Sequence, residues 1–336
     1  MKITNLAISA FCICGLLSIT SCNKKTYEAA FSPEESGLGI VKITDESKDA
    51  VVHPKVGGLT VSPATAYSGL NGKCTWVSVR ALSVSPDGKE LAYLGVQNKQ
   101  SNVMVRRSTS AGAATQRTFR NVGTCFWGSD DNLYYSDYTE TTSKICSVNS
   151  HAGTLIHQHT SNNFDYNPVL SRNGEILYFE RLESGIGSCI WSFKLETGEL
   201  ANCGSGYSPC PLGDGTQEFL CVRNTSNGNS EIWRVNYVTG QEQLIVTDKE
   251  HGYSDPQISP DGKWILFTGN SVSPVNKKKN VDIFVCRLDG SNFMQLTYHP
   301  ADDLCPQWGA DGKSIYFISD RSSKNFNVWR MNFNLR

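Results

Sequence analysis

The sequence predicts an all-β fold, a six-bladed β-propeller of four-stranded antiparallel blades, on three observations. A turn motif recurs six times at a period of ~40–50 residues, the spacing of a propeller blade. Short β-branched and aromatic runs flank every copy. No long amphipathic helical stretch follows residue 22.

The turns come first. Five copies keep a recognisable turn: Ser85-Pro86-Asp87-Gly88, Ser129-Asp130-Asp131, Ser171-Arg172-Asn173-Gly174, Ser259-Pro260-Asp261-Gly262 and Ala310-Asp311-Gly312. The fourth is reduced to Asp214-Gly215. The turn positions 88, 131, 174, 215, 262 and 312 lie 43, 43, 41, 47 and 50 residues apart. Asp-Gly between two apolar runs is a hairpin signal because glycine takes positive φ without strain.

The rest of each unit repeats as well. A second strand follows the turn, as in Leu91-Ala92-Tyr93-Leu94 and Trp264-Ile265-Leu266-Phe267. A polar loop leads to a third strand, as in Ile190-Trp191-Ser192-Phe193 and Ile283-Phe284-Val285. A fourth strand closes most units, as in Thr118-Phe119 and Gln295-Leu296-Thr297. The units fall at about 80–120, 121–160, 161–203, 204–247, 248–298 and 299–336. The sixth reaches Arg336 straight after its third strand. Its fourth strand is therefore expected from the N-terminal side, within 37–62, which closes the ring and removes exposed sheet edges. Residues 39–44 are the first candidate and 58–61 the alternative, so the propeller spans 37–336.

The N-terminus reads as an export signal over 1–21. Lys2 supplies positive charge, and 6–19 is a 14-residue run of apolar or small residues. That is short of the ~20 residues a bilayer span needs. Ile19-Thr20-Ser21-Cys22 resembles a lipobox, the processing site of bacterial lipoproteins. The resemblance implies cleavage before Cys22 and its acylation with chains such as palmitate, with 22–36 as a polar tether. Asn23 rather than Asp follows Cys22, and Lys24-Lys25 replaces an acidic run. The expected address is the cell envelope, in the outer membrane and facing the periplasm.

A net charge of −1 gives no global field to recruit nucleic acid, so no nucleic-acid partner is expected. Nine cysteines remain besides those of the first 22 residues, and none forms a C-x-x-C pair. Export permits disulfides, and an odd count leaves at least one thiol unpaired within the chain. Most of the nine read as small apolar core residues.

The run Asp255-Pro256-Gln257-Ile258-Ser259-Pro260-Asp261-Gly262-Lys263, with Asp282-Ile283-Phe284-Val285 and Gln295-Leu296-Thr297, resembles the repeat of TolB-like propellers. Pro306-Gln307-Trp308 and Ser319-Asp320-Arg321 repeat the likeness in the sixth unit, whereas the second and fourth units are degenerate. The likeness covers about three quarters of the chain. It stops short of TolB proper, which carries an α/β domain before its propeller and no lipid. No Gly-x-Ser-x-Gly motif accompanies the repeats, which argues against a prolyl-oligopeptidase-type enzyme. The resemblance implies peptidoglycan-associated lipoproteins or outer-membrane proteins as partners.

Candidate binding residues follow from the repeat. The residue seven before each turn position should open the first strand at one channel mouth: Ala81, Thr124, Asn167, Ser208, Asp255 and Cys305. Of these, Thr124, Asn167, Ser208 and Asp255 are polar. The loops between second and third strands, 96–102, 139–143, 223–230, 269–280 and 319–325, should surround the same mouth. Asp255 with neighbouring His251 and Tyr253 is the best local start for a carbohydrate-active site, which His299 in the equivalent loop of the next blade could join. His157 and His159 alternate as a surface pair with no third ligand, so no metal or other cofactor is expected. The expected function is a non-enzymatic, membrane-tethered envelope module that binds a protein or peptide at the channel mouth. A carbohydrate-active enzyme or glycan-binding protein using the same mouth is the alternative.

Overall fold

The computed structural model describes residues 35, 37–45, 49–52 and 80–334, apart from 99, 110–111, 139–141, 154, 162–163, 184, 214–216 and 323–324. Cys22, most of the tether, the stretch 58–61 and the Asp214-Gly215 turn lie outside these residues.

Twenty-four described strands form six four-stranded antiparallel sheets. An N-terminal strand, β1 (Val41–Lys42), precedes the ring. Blade one holds β2 (Leu82–Val84), β3 (Glu90–Gln97), β4 (Gln100–Arg107) and β5 (Thr115–Gln116). Blade two holds β6 (Val122–Trp127), β7 (Asn132–Tyr138), β8 (Ser143–Asn149) and β9 (Ile156–Gln158). Blade three holds β10 (Asp165–Leu170), β11 (Ile176–Glu183), β12 (Gly187–Lys194) and β13 (Leu200–Ser205). Blade four holds β14 (Tyr207–Pro211), β15 (Glu218–Asn224), β16 (Ser230–Asn236) and β17 (Gln241–Val246). Blade five holds β18 (Tyr253–Ile258), β19 (Trp264–Val272), β20 (Lys279–Arg287) and β21 (Met294–Gln295). Blade six holds β22 (Asp303–Trp308), β23 (Ser314–Ser319) and β24 (Asn327–Asn332), with β1 as its outer strand.

The first strands β2, β6, β10, β14, β18 and β22 touch one another in chain order, and β22 returns to β2. They line the axis, so blade one faces blade four. The middle strands are buried on both faces because blades stack face to face, as in β3, where Leu91 to Leu94 are wholly enclosed. Outer strands such as β9 are exposed.

Three turns share one bond. Ser85 Oγ donates to Asp87 Oδ1 at 2.8 Å, and the same bond joins Ser259 to Asp261 at 2.6 Å and Ser171 to Asn173 at 2.7 Å. The turn position that follows has positive φ, +73° at Gly88 and +63° at Asp131, a conformation that aspartate tolerates among non-glycine residues.

Ring closure uses more than one strand. β1 pairs antiparallel with β24, Val41 opposite Arg330 and Lys42 opposite Trp329. Thr44 then does what the last threonine of other blades does. Val328 N donates to Thr44 Oγ1 at 2.9 Å, as Ile283 N does to Thr297, Val103 N to Thr118 and Ile145 N to Thr160. On one side of β1, Glu35 accepts from the backbone N–H groups of Tyr298 and His299 and pairs with Arg321. On the other side, buried Asp49 pairs with Arg106 and accepts from the Tyr93 hydroxyl. The N-terminal segment thus straps blades five, six and one together.

All eight described cysteines outside the N-terminal segment are buried and unbridged, packed as small apolar residues. Cys74 lies outside the described residues.

Candidate functional site

The six positions seven residues before the turns do meet in one ring around the axis, at the start of the first strands. In blades two to six the register of the first strand breaks there, between Val122 and Cys125, Tyr166 and Val169, Tyr207 and Cys210, Ser254 and Gln257, and Leu304 and Gln307. These are β-bulges, which re-aim a side chain. Asn167, Ser208, Asp255 and Cys305 have φ of +49°, +51°, +53° and +51°. Proline follows each of the four, at 168, 209, 256 and 306. It disfavours right-handed helical geometry at the residue before it and brings no N–H into the broken register. Left-handed geometry costs a non-glycine residue about 1–3 kcal/mol, so the surrounding contacts must hold these side chains in place.

Most of the ring is turned inward. Thr124, Asn167, Ser208 and Cys305 are buried, and only Asp255 keeps partial exposure among the polar members. Thr124 Oγ1 shares a hydrogen bond with Ser136 Oγ. Asn167 Nδ2 donates to Glu180 Oε1 at 2.7 Å, and Ser208 N donates to the same oxygen at 2.7 Å. Ser208 Oγ donates to Asp255 Oδ1 at 3.4 Å. Burial pushes the Glu180 carboxyl up to about 7, against the opposing pull of these hydrogen bonds and of Arg80.

Arg80 sits on the axis. Its backbone N donates to Asn167 Oδ1 of blade three at 3.1 Å, and its carbonyl accepts from Cys125 N of blade two at 2.9 Å. Its Nη2 donates to the Pro209 carbonyl of blade four at 3.1 Å. The side chain therefore crosses the channel from one blade to the opposite one. It packs over the Phe126 ring, 5.8 Å from the centroid.

Neither Arg80 nor Glu180 is among the residues that the repeat marks. Arg80 lies one residue ahead of the marked position and has no charged counterpart in other repeats. Glu180 lies on a second strand, where the pattern is read as core. A search for ionisable residues next to the marked positions finds Arg80, but no sequence signal finds Glu180.

The proposed histidine–tyrosine cluster does not assemble around Asp255. The Tyr253 ring packs against Phe267, Phe284 and Phe293 in the core between blades. His251 lies at the surface, its Nδ1 3.0 Å from Asp248 Oδ1. His299 is buried at the blade five–six junction, where its Nδ1 accepts from Ala301 N at 3.0 Å. Nearby, burial and the neighbouring Asp303 push the Asp282 carboxyl up to about 8. The His157–His159 pair is not a uniform surface feature either. His159 lies half-buried on Tyr134 with Nε2 2.8 Å from Ser147 Oγ, and burial pulls its pKa down to about 4. Among the described residues, no group of three or more His, Cys, Asp or Glu side chains is placed to hold a metal ion.

The loops around this mouth are shorter than the sequence suggests, because the strands run on. β3 and β4 leave only 98–99 between them, and β19 and β20 leave 273–278. Asn227, Val272 and Val275 are exposed on or beside these loops.

The ring of bulged first strands and the six-blade closure define the class: a six-bladed β-propeller, similar in fold to TolB proteins. No family model matches the chain. A 67-residue stretch is 34% identical to dipeptidyl-peptidase 5 of Porphyromonas gingivalis, covering 20% of this chain and 10% of that one. A 147-residue stretch is 26% identical to the protein Atu1656 of Agrobacterium fabrum, covering 42% of this chain and 46% of that protein. The chain thus spans less than half the length of either curated relative. Among solved structures, one assigned as TolB from Agrobacterium tumefaciens matches with a TM-score of 0.55 at 20% identity, over 76% of this chain and 90% of that one. TolB from Acinetobacter baumannii gives 0.57 at 15% identity, over 71% and 60%. Oligogalacturonate lyase from Vibrio parahaemolyticus gives 0.57 at 10% identity, over 89% and 94%. At these identities the likeness is one of fold, and folds of this kind carry unrelated activities.

Proposed function

We propose that this chain is a cell-envelope protein, held to the outer membrane through an acylated Cys22, whose propeller binds a protein partner at the mouth marked by Thr124, Asn167, Ser208 and Asp255. One observation carries the reading. The polar ring at this mouth is mostly buried and bonded within the protein, while the exposed chemistry of the same end is on loops. That is the layout of a display surface on a rigid scaffold. The likeness in fold to TolB proteins is consistent with it. Tethering at a membrane confines the protein to two dimensions with its partner, so modest intrinsic affinity suffices.

In-cell photocross-linking tests the proposal, with a photoreactive residue at Asn227 or Val275 on the mouth loops and a control at Glu175 on the opposite end. A specific protein captured from the mouth positions and not from Glu175 supports it. Capture that does not depend on position sinks it.

The carbohydrate reading rests on the breadth of the likeness to oligogalacturonate lyase, which takes in nearly the whole of both chains. It predicts that the purified protein retains or cleaves a glycan.

A further inference from the structure

We infer that Arg80 is an anchor for a carboxylate, taking an acidic side chain or C-terminus of a peptide segment that enters the channel mouth. The inference rests on the protein-binding reading and names the group recognised.

The residue is only 5% exposed, yet its guanidinium is incompletely matched. Nη2 has the Pro209 carbonyl, whereas Nη1 is buried with no hydrogen-bond acceptor among the described residues. No described carboxylate lies within ion-pair distance of it. A buried cation without a counter-ion is costly, and breaking or withholding a partner is where that cost appears. Glu180, which feels the charge of Arg80, is turned to Asn167 and Ser208 instead. Because burial holds its pKa near 7, Glu180 is a weak counter-ion at neutral pH. The stretch 53–79, which leads directly into Arg80, contains no Asp or Glu. A carboxylate carried by a bound segment would complete this site.

The planar fork of a guanidinium matches a carboxylate, the anion that a peptide's acidic side chains and C-terminus carry. Arg80 Nη2 reaches the Pro209 carbonyl of the opposite blade, so one arginine side chain spans the lumen at this level. Asp255 at the rim accepts the N–H or ammonium donors that a peptide carries beside its acidic group.

The test uses the full-length protein in detergent with ¹⁵N-labelled arginine, and reads the Arg80 guanidinium resonance. The probes are acetyl-Gly-Asp-Gly-amide, its Asn counterpart and trigalacturonate. The aspartyl peptide is expected to shift the Arg80 signal saturably, and the Asn peptide to leave it in place. Arg80→Lys, which keeps the charge and loses the fork, should bind the aspartyl peptide about tenfold more weakly. If that variant does not fold, the comparison of Asp with Asn peptide on the unmodified protein still decides. Equal shifts from both peptides, or none from either at the highest soluble concentration, overturn the inference. A shift from trigalacturonate alone overturns the peptide assignment. Failure here with position-specific capture at Asn227 intact leaves the protein-binding reading standing. Loss of that capture with the aspartyl response intact does the reverse.

Discussion

Replacing Glu180 by Gln should change how stability depends on pH, and the structure fixes the sign. The carboxyl is fully enclosed, and its pKa rises from about 4.5 to about 7 on folding. Between these values the native state keeps a proton that the unfolded chain has released. Stability therefore falls as pH rises through this window, and the loss is complete somewhat above pH 7. A rise of about 2.5 pKa units corresponds to about 3 kcal/mol. Glutamine mimics the protonated acid: its Oε1 still accepts from Asn167 Nδ2 and Ser208 N, and its Nε2 faces Ser188 Oγ, which lies 3.4 Å from Glu180 Oε2. The variant should match the parent near pH 4 and exceed it by up to about 3 kcal/mol at pH 8. Urea unfolding of both proteins across this range gives the difference directly, and other titrating groups cancel in the comparison. A difference that stays flat with pH, or that favours glutamate at pH 8, refutes the reasoning. It would mean that Arg80 holds Glu180 ionised as a true ion pair, and would leave that guanidinium already matched.

Other consequences are as concrete. Thr44→Val keeps shape but strands the Val328 N–H inside the closing sheet, which should cost about 1–3 kcal/mol and lower the melting temperature measurably by differential scanning fluorimetry. An unchanged melting temperature would mean that the N-terminal strap contributes little to closure. Cys22→Ser should move the protein from the membrane to the soluble fraction of the envelope; retention in membranes would argue against the lipid. The eight buried thiols should resist a disulfide reagent in the native protein and react together on unfolding. Rapid reaction of any of them before unfolding would show that the packing is looser than described.

Most of the fold is legible in the sequence because the blade is a local unit. Gly88, Gly174, Gly262 and Gly312 mark positive-φ turns, and the spacing between them fixes the number of blades. The closing strand is legible for a different reason: an incomplete sixth repeat leaves an edge that some other strand must cover. The ring at the channel is half legible. Counting back seven residues from each turn reaches the bulge in every blade where the register breaks, since turn and bulge lie on one short strand. The consequence of burial is not legible, because whether Asn167 faces solvent or Glu180 depends on a contact with the second strand of its own blade. Tyr253 and His299 misled for the same reason. Strand alternation would put Tyr253 and Asp255 on one face. The bulge between Ser254 and Gln257 and the positive φ of Asp255 re-aim Asp255 and leave Tyr253 in the aromatic core, and His299 turns into the blade five–six junction. Arg80 could not be assigned because its partners lie on blades two, three and four.

The central claim, that a protein partner docks on the mouth loops, is most directly tested by affinity purification of surface-charge variants. Asn227→Arg with Val275→Arg alters the mouth, and Glu175→Arg with Lys313→Glu alters the opposite end. The account predicts that a stoichiometric partner is retained by the parent and by the second pair and lost by the first. Retention by the mouth variant, or equal loss from both, would contradict it.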